Sequence, residues 1–146
     1  FLASRGYAVL SMNFRGSTGY GRSHVKMANG EWGRKMQDDV TDSVNWAVEQ
    51  GIADPDNVCI YGASYGGYAV MAGITKTPKM YKCAVNYVGV TDMGLLFSKM
   101  PKVWEIWEEQ QKIEIGDYEN DKEYLDAVSP INLVDRIETP LYLFMV

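Results

Sequence analysis

Ser64 stands between Gly62 and Gly66 in a Gly-x-Ser-x-Gly pattern. Before it lies the short apolar stretch 58–61, which reads as a buried strand rich in β-forming residues. After it, residues 65–75 read as a small-residue helix, with Val70, Met71 and Ile74 available to face a core. A serine at the tip of a sharp strand-to-helix turn holds its hydroxyl clear of the sheet. That is the context a nucleophile elbow for covalent acyl transfer requires. Gly62 and Gly66 carry no Cβ, so strand and helix can approach on either side of the turn, and Gly67 extends the bare surface. The amino end of the helix favours negative charge. The Tyr65 N–H is therefore the candidate donor to the oxyanion of a tetrahedral intermediate. Taken alone, Gly-x-Ser-x-Gly is common in ordinary loops. The flanking strand and helix, with Gly67-Tyr68, make it a nucleophile elbow.

Two further residues are candidates for the base and acid that such a serine requires. His24 is the single histidine, and it sits in a glycine-rich stretch, residues 15–24, where a loop role is the simpler reading. Asp92 follows an apolar run, at the carboxyl edge of a sheet where open α/β folds place their chemistry. It is a possible triad acid or a structural residue. One histidine and two separated cysteines do not make a zinc site. No glycine fingerprint for a nucleotide follows a strand into a helix, so no cofactor is expected.

These residues must be held by a parallel sheet with helical crossovers. Residues 7–14 are almost continuously apolar and read as a strand buried on both faces. Within residues 31–50, Met36, Val40, Val44, Ala47 and Val48 recur at helical spacing, and acidic residues gather toward the start. Gly51 caps that helix and Asp54-Pro-Asp-Asn57 turns the chain into the elbow strand. Strand, helix and strand in succession imply a right-handed crossover. Residues 83–90 read as a third buried strand and residues 141–146 as a fourth. Residues 101–115 read as a Trp-rich helix, and residues 117–127 as containing a short polar one.

The chain's 146 residues are one domain or part of one, and 47% of them are apolar, enough for a packed core. The net charge of −5 argues against nucleic acid and anionic membranes as partners. No run is long and apolar enough for a membrane span, and the first residues lack a signal-peptide pattern. A cytoplasmic location is expected. Cys59 and Cys83 fall inside predicted strands and read as buried free thiols.

The chain resembles the catalytic domain of the prolyl oligopeptidase family of serine peptidases, nearest its acylaminoacyl-peptidase-like branch. The resemblance rests on Gly6-Tyr7, Asn13-Phe-Arg-Gly-Ser17, Gly19-Tyr-Gly21, Trp32-Gly33, Asp39-Val40 with Asp42, the segment from Gly62 to Tyr68, Ser129-Pro130 and Thr139-Pro140, in family order. It implies an α/β-hydrolase fold with a mostly parallel sheet and helices on both faces. It also implies cleavage of short peptides or esters through an acyl-enzyme, with Ser64 as nucleophile and Tyr65 contributing to the oxyanion hole. Residues 1–146 would then be a truncated catalytic domain. The family's His-Gly-Gly-Pro-type loop and propeller would precede it, and the triad aspartate and histidine would follow Val146. Two other readings stay open. One is an inactive fragment that self-associates through exposed sheet edges as a homo-oligomer. The other is a binding remnant that keeps a pocket near Ser64 and Asp92.

Overall fold

The computed structural model describes residues 1–144. Its centre is a parallel sheet of β1 (Cys59–Ala63), β2 (Cys83–Tyr87) and β3 (Leu141–Phe144), in the spatial order β1-β2-β3. In register, Ile60 pairs with Ala84 and Ala84 with Leu141. The helices are α1 (Arg22–Lys26), α2 (Lys35–Glu49), α3 (Tyr65–Lys76), α4 (Met93–Ser98), α5 (Glu108–Glu114) and α6 (Lys122–Ala127).

Helix α3 is the organising element. Residues 67–75 of it are all buried. It lies across β1 and β2, and Val70, Met71 and Ile74 meet Tyr81 and Ala84, with Ile60, Val44 and Leu141 around them. On its other side Tyr68 and Ala72 join Met93, Ile115 and Leu125 in a second cluster. A helix apolar nearly all round suits an element covered by both sheet and surrounding helices. Full burial of Val70, Ile74 and Leu125 contributes about 1.5–3 kcal/mol for each side chain.

The crossover expected from a strand at residues 7–14 through α2 into β1 is not formed, whereas the strand, turn and helix of the elbow and the strand after them agree with the sequence reading, as does α2. Residues 7–14 do not. They form no strand, and residues 1–11 are all exposed. A strand buried on both faces needs a hydrogen-bonded neighbour. β1 pairs only with β2 among the described residues, so its outer edge is free, yet residues 7–14 do not pair with it and stay exposed or half-buried. The described sheet thus has three strands rather than four. β1 is a partly exposed edge rather than a buried strand, with Cys59, Tyr61 and Ala63 outward. The third expected strand stops at Tyr87, three residues early, because the chain turns at Val88. For the last strand, residues 145–146 lie outside the described residues. The Trp-rich stretch begins as a 3-10 turn, Lys102–Trp107, and only Glu108–Glu114 is α-helical. Trp104 and Trp107 are exposed.

The cysteine reading is corrected. Cys59 and Cys83 are directly opposed in the β1–β2 register with Cα atoms 4.7 Å apart, and they form a disulfide. That separation lies inside the range a disulfide can bridge. Cys59 is exposed and Cys83 half-buried, so neither is a core thiol.

Candidate active site

Ser64 is the residue between β1 and α3. Its backbone sits at φ 54°, ψ −120°, a conformation sparsely populated by non-glycine residues. The surroundings hold it there. The Ser64 N–H donates to the Tyr87 carbonyl of the next strand at 3.0 Å, and its own carbonyl accepts from the Tyr68 N–H at 3.1 Å. The hydroxyl makes no capping bond to α3, and the residue is exposed. A Cβ on Gly62 would fall on the backbone carbonyl of Gly66, so the strand can enter this turn only as glycine.

Tyr65 is the first residue of α3, where a backbone N–H has no intrahelical acceptor. Its side chain turns inward. The ring packs edge-on to Trp32 with centroids 4.5 Å apart, and lies 5.4 Å from Phe14 and 5.8 Å from Tyr68. Its hydroxyl points to Met36 Sδ at 3.7 Å. Burial pushes the Tyr65 and Tyr68 phenols well above their ordinary range, so both stay neutral. The Tyr68 hydroxyl donates to the Val128 carbonyl at 3.1 Å. The Tyr124 hydroxyl donates to the Trp32 carbonyl at 2.8 Å, while the Arg34 guanidinium lies 3.9 Å from the Tyr124 ring centre. Burial raises the Tyr124 phenol to about 12. This aromatic cluster braces the first turn of α3 from below.

The other two candidates are occupied elsewhere. Asp92 accepts from the Leu95 N–H at 3.0 Å and caps α4. His24 lies in α1, and its Nε2 is 3.2 Å from the Phe14 carbonyl. No hydrogen-bonded Ser-His-Asp arrangement exists among the described residues.

Two features escaped the sequence reading. Asp39 and Arg15 form a bidentate pair, with Arg15 Nε and Nη2 donating to the carboxylate at 2.7 and 2.6 Å, and Asp39 also accepts the Arg15 N–H at 2.9 Å. Their hydrogen bond holds the Asp39 carboxyl below the usual carboxylate range, and the pair pins the glycine-rich loop to α2. The second is Asn86, buried in β2 opposite Gly62. Its only signal was a lone amide inside an apolar run.

A serine raised between a parallel strand and a buried helix, at the carboxyl edge of the sheet, defines the α/β-hydrolase class. The chain belongs to the prolyl oligopeptidase family, whose family model matches residues 1–146. It is 47% identical over 143 residues to dipeptidyl aminopeptidase BIII of Pseudoxanthomonas mexicana, covering 97% of this chain and 21% of that protein. With the acylamino-acid-releasing enzyme of Arabidopsis thaliana it shares 28% identity, over 96% of this chain and 19% of the relative. A solved Mycobacterium tuberculosis puromycin-hydrolyzing peptidase superposes with a TM-score of 0.82 at 30% identity, covering 90% of this chain and 19% of that one. The chain therefore spans about a fifth of the length of the relatives it matches. No helix among the described residues is long and apolar enough to cross a membrane.

Proposed function

We propose that this chain is part of the catalytic domain of a serine peptidase and carries its nucleophile, Ser64. The supporting observation is the exposed serine at φ 54° on the β1–α3 turn. Ser64 Oγ attacks the carbonyl carbon of a peptide or small ester, and its proton passes to a base. The Tyr65 N–H donates to the oxyanion that develops. The amine or alcohol then leaves, protonated by the same base, and water hydrolyses the acyl-enzyme. His24 and Asp92 are engaged elsewhere, so the base and acid of this reading come from outside residues 1–144. Relatives named for dipeptidyl and acylamino-acid release support short peptides as substrates.

Labelling of the full-length protein with a fluorophosphonate tests this. Label on Ser64, lost in Ser64→Ala, is expected. A folded protein that takes no label at Ser64 overturns the reading.

Residues 1–146 alone are expected to be inactive, because a serine without its base is a weak nucleophile. They are also expected to self-associate, since β3 exposes Tyr142, Leu143 and Phe144. A monomer in sedimentation at micromolar concentration contradicts that. A cytoplasmic location is compatible with the Cys59–Cys83 bond only if the bond exchanges with the thiol pool, because disulfides persist mainly in oxidising compartments. Differential alkylation of the two cysteines in cells separates the cases.

A further inference from the structure

Asn86 is the polar residue of β2 on the face covered by α3, and it is 1% exposed. Its neighbour on that face, Ala84, packs in the apolar cluster. A buried carboxamide costs stability unless fully hydrogen-bonded. Here only part of the cost is met: Oδ1 accepts the Gly89 N–H at 2.8 Å, and the buried Nδ2 has no partner among the described residues. An apolar residue of similar volume would avoid the Nδ2 cost but leave the Gly89 N–H without its acceptor, so the amide serves the Gly89 turn rather than the packing of β2 on α3.

Asn86 is the register partner of Gly62, two residues before Ser64. Its Oδ1 occupies the space that a Cβ on Gly67, in the first turn of α3, would enter. A Cβ on Gly89 would meet the same oxygen and the Gly67 backbone. One side chain thus sits where three backbone segments converge: β2, the first turn of α3 and the turn after β2. That turn contains Val88 at φ 49°, the other non-glycine residue with positive φ besides Ser64 among the described residues. Backbone in sparsely populated conformations persists only where its surroundings over-determine it.

Building on the hydrolase reading above, we infer that Asn86 is a positioning residue for Ser64. By fixing Gly89 against Gly67, its carboxamide sets the distance between the Val88–Gly89 turn and the first turn of α3. Ser64 and the Tyr65 N–H keep their alignment only while that distance holds. Asn86 touches neither substrate nor reacting atoms, and acts through Gly89 and Gly67.

The test is Asn86→Leu in the full-length protein, assayed with a fluorophosphonate and a p-nitrophenyl ester. Small misplacements at a reacting group cost rate steeply, so labelling and kcat are expected to fall about tenfold or more. KM is expected to stay within about twofold, and the loss of labelling to exceed what any fall in Tm accounts for. Asn86→Ser carries the same expectation for labelling and serves if the leucine variant does not fold. Ile74→Val, in the far half of α3, provides a control that perturbs packing and leaves labelling unchanged. Native-rate labelling in a folded Asn86 variant overturns the inference. So does a rate loss that only parallels the loss of Tm, as a purely structural role requires. If the native protein itself takes no label at Ser64, the hydrolase reading has failed instead.

Discussion

Ser64 and Val88 sit side by side, one step beyond the Ala63–Tyr87 register pair, and both have positive φ, 54° and 49°. The Ser64 N–H donates to the Tyr87 carbonyl, and the Val88 N–H donates to Phe144 at 2.9 Å. Each strained residue is therefore held by the strand next to its own. The carboxyl edge of the sheet fixes the elbow, and the helix alone does not.

The approach of β1 to α3 leaves no room for a side chain at Gly62. Gly62→Ala is expected to abolish Ser64 labelling and to destabilise by about 2 kcal/mol or more, since backbone carbonyls cannot step aside. A urea titration with an unchanged m-value checks the second part.

Asp92 separates two roles cleanly. As the cap of α4, its replacement by Ala is expected to cost about 1 kcal/mol of stability while labelling of Ser64 stays within about threefold. Asp92→Asn is expected to be near neutral in both. A loss of labelling by several orders of magnitude in Asp92→Asn identifies it instead as the triad acid.

The Cys59–Cys83 disulfide encloses the elbow and all of α3 in one covalent loop, with a sequence separation of 24. Chain-entropy reasoning gives about 3.5 kcal/mol for a loop of that size. Reduction, or Cys59→Ser with Cys83→Ser, is expected to lower the denaturation midpoint. Labelling below the transition should not change, because the cysteines lie at the amino ends of β1 and β2, away from Ser64.

The Arg15–Asp39 pair makes stability depend on pH. The Arg15 hydrogen bond lowers the Asp39 pKa from its ordinary 3.8, so the folded state binds this proton more weakly than the unfolded chain. Its contribution is fully present above 3.8 and is lost as pH falls through the lower folded value. Asp39→Asn should flatten that part of the pH–stability curve and cost about 1–3 kcal/mol at neutral pH.

The sequence made the elbow legible because everything in it is local. Val58 to Tyr68 carries the strand, the glycines and the helix start in one continuous stretch. Helix α2 was legible for the same reason, through its spacing of Met36, Val44 and Ala47. What escaped depends on pairing between distant segments. The disulfide needed the register of β1 on β2, which no local pattern encodes. Apolar composition alone suggests a strand at residues 7–14, but a strand exists only where the backbone pairs, and these residues do not pair with the free edge of β1. Arg15 reaches Asp39 across 24 positions, and Asn86 acquires its meaning only when Gly67 and Gly89 meet over it.

The most direct measurement is mass spectrometry of the fluorophosphonate-treated full-length protein. The account predicts one adduct per chain, on the peptide containing Ser64, and none in Ser64→Ala. A folded protein left unmodified, or an adduct that persists in Ser64→Ala, contradicts it.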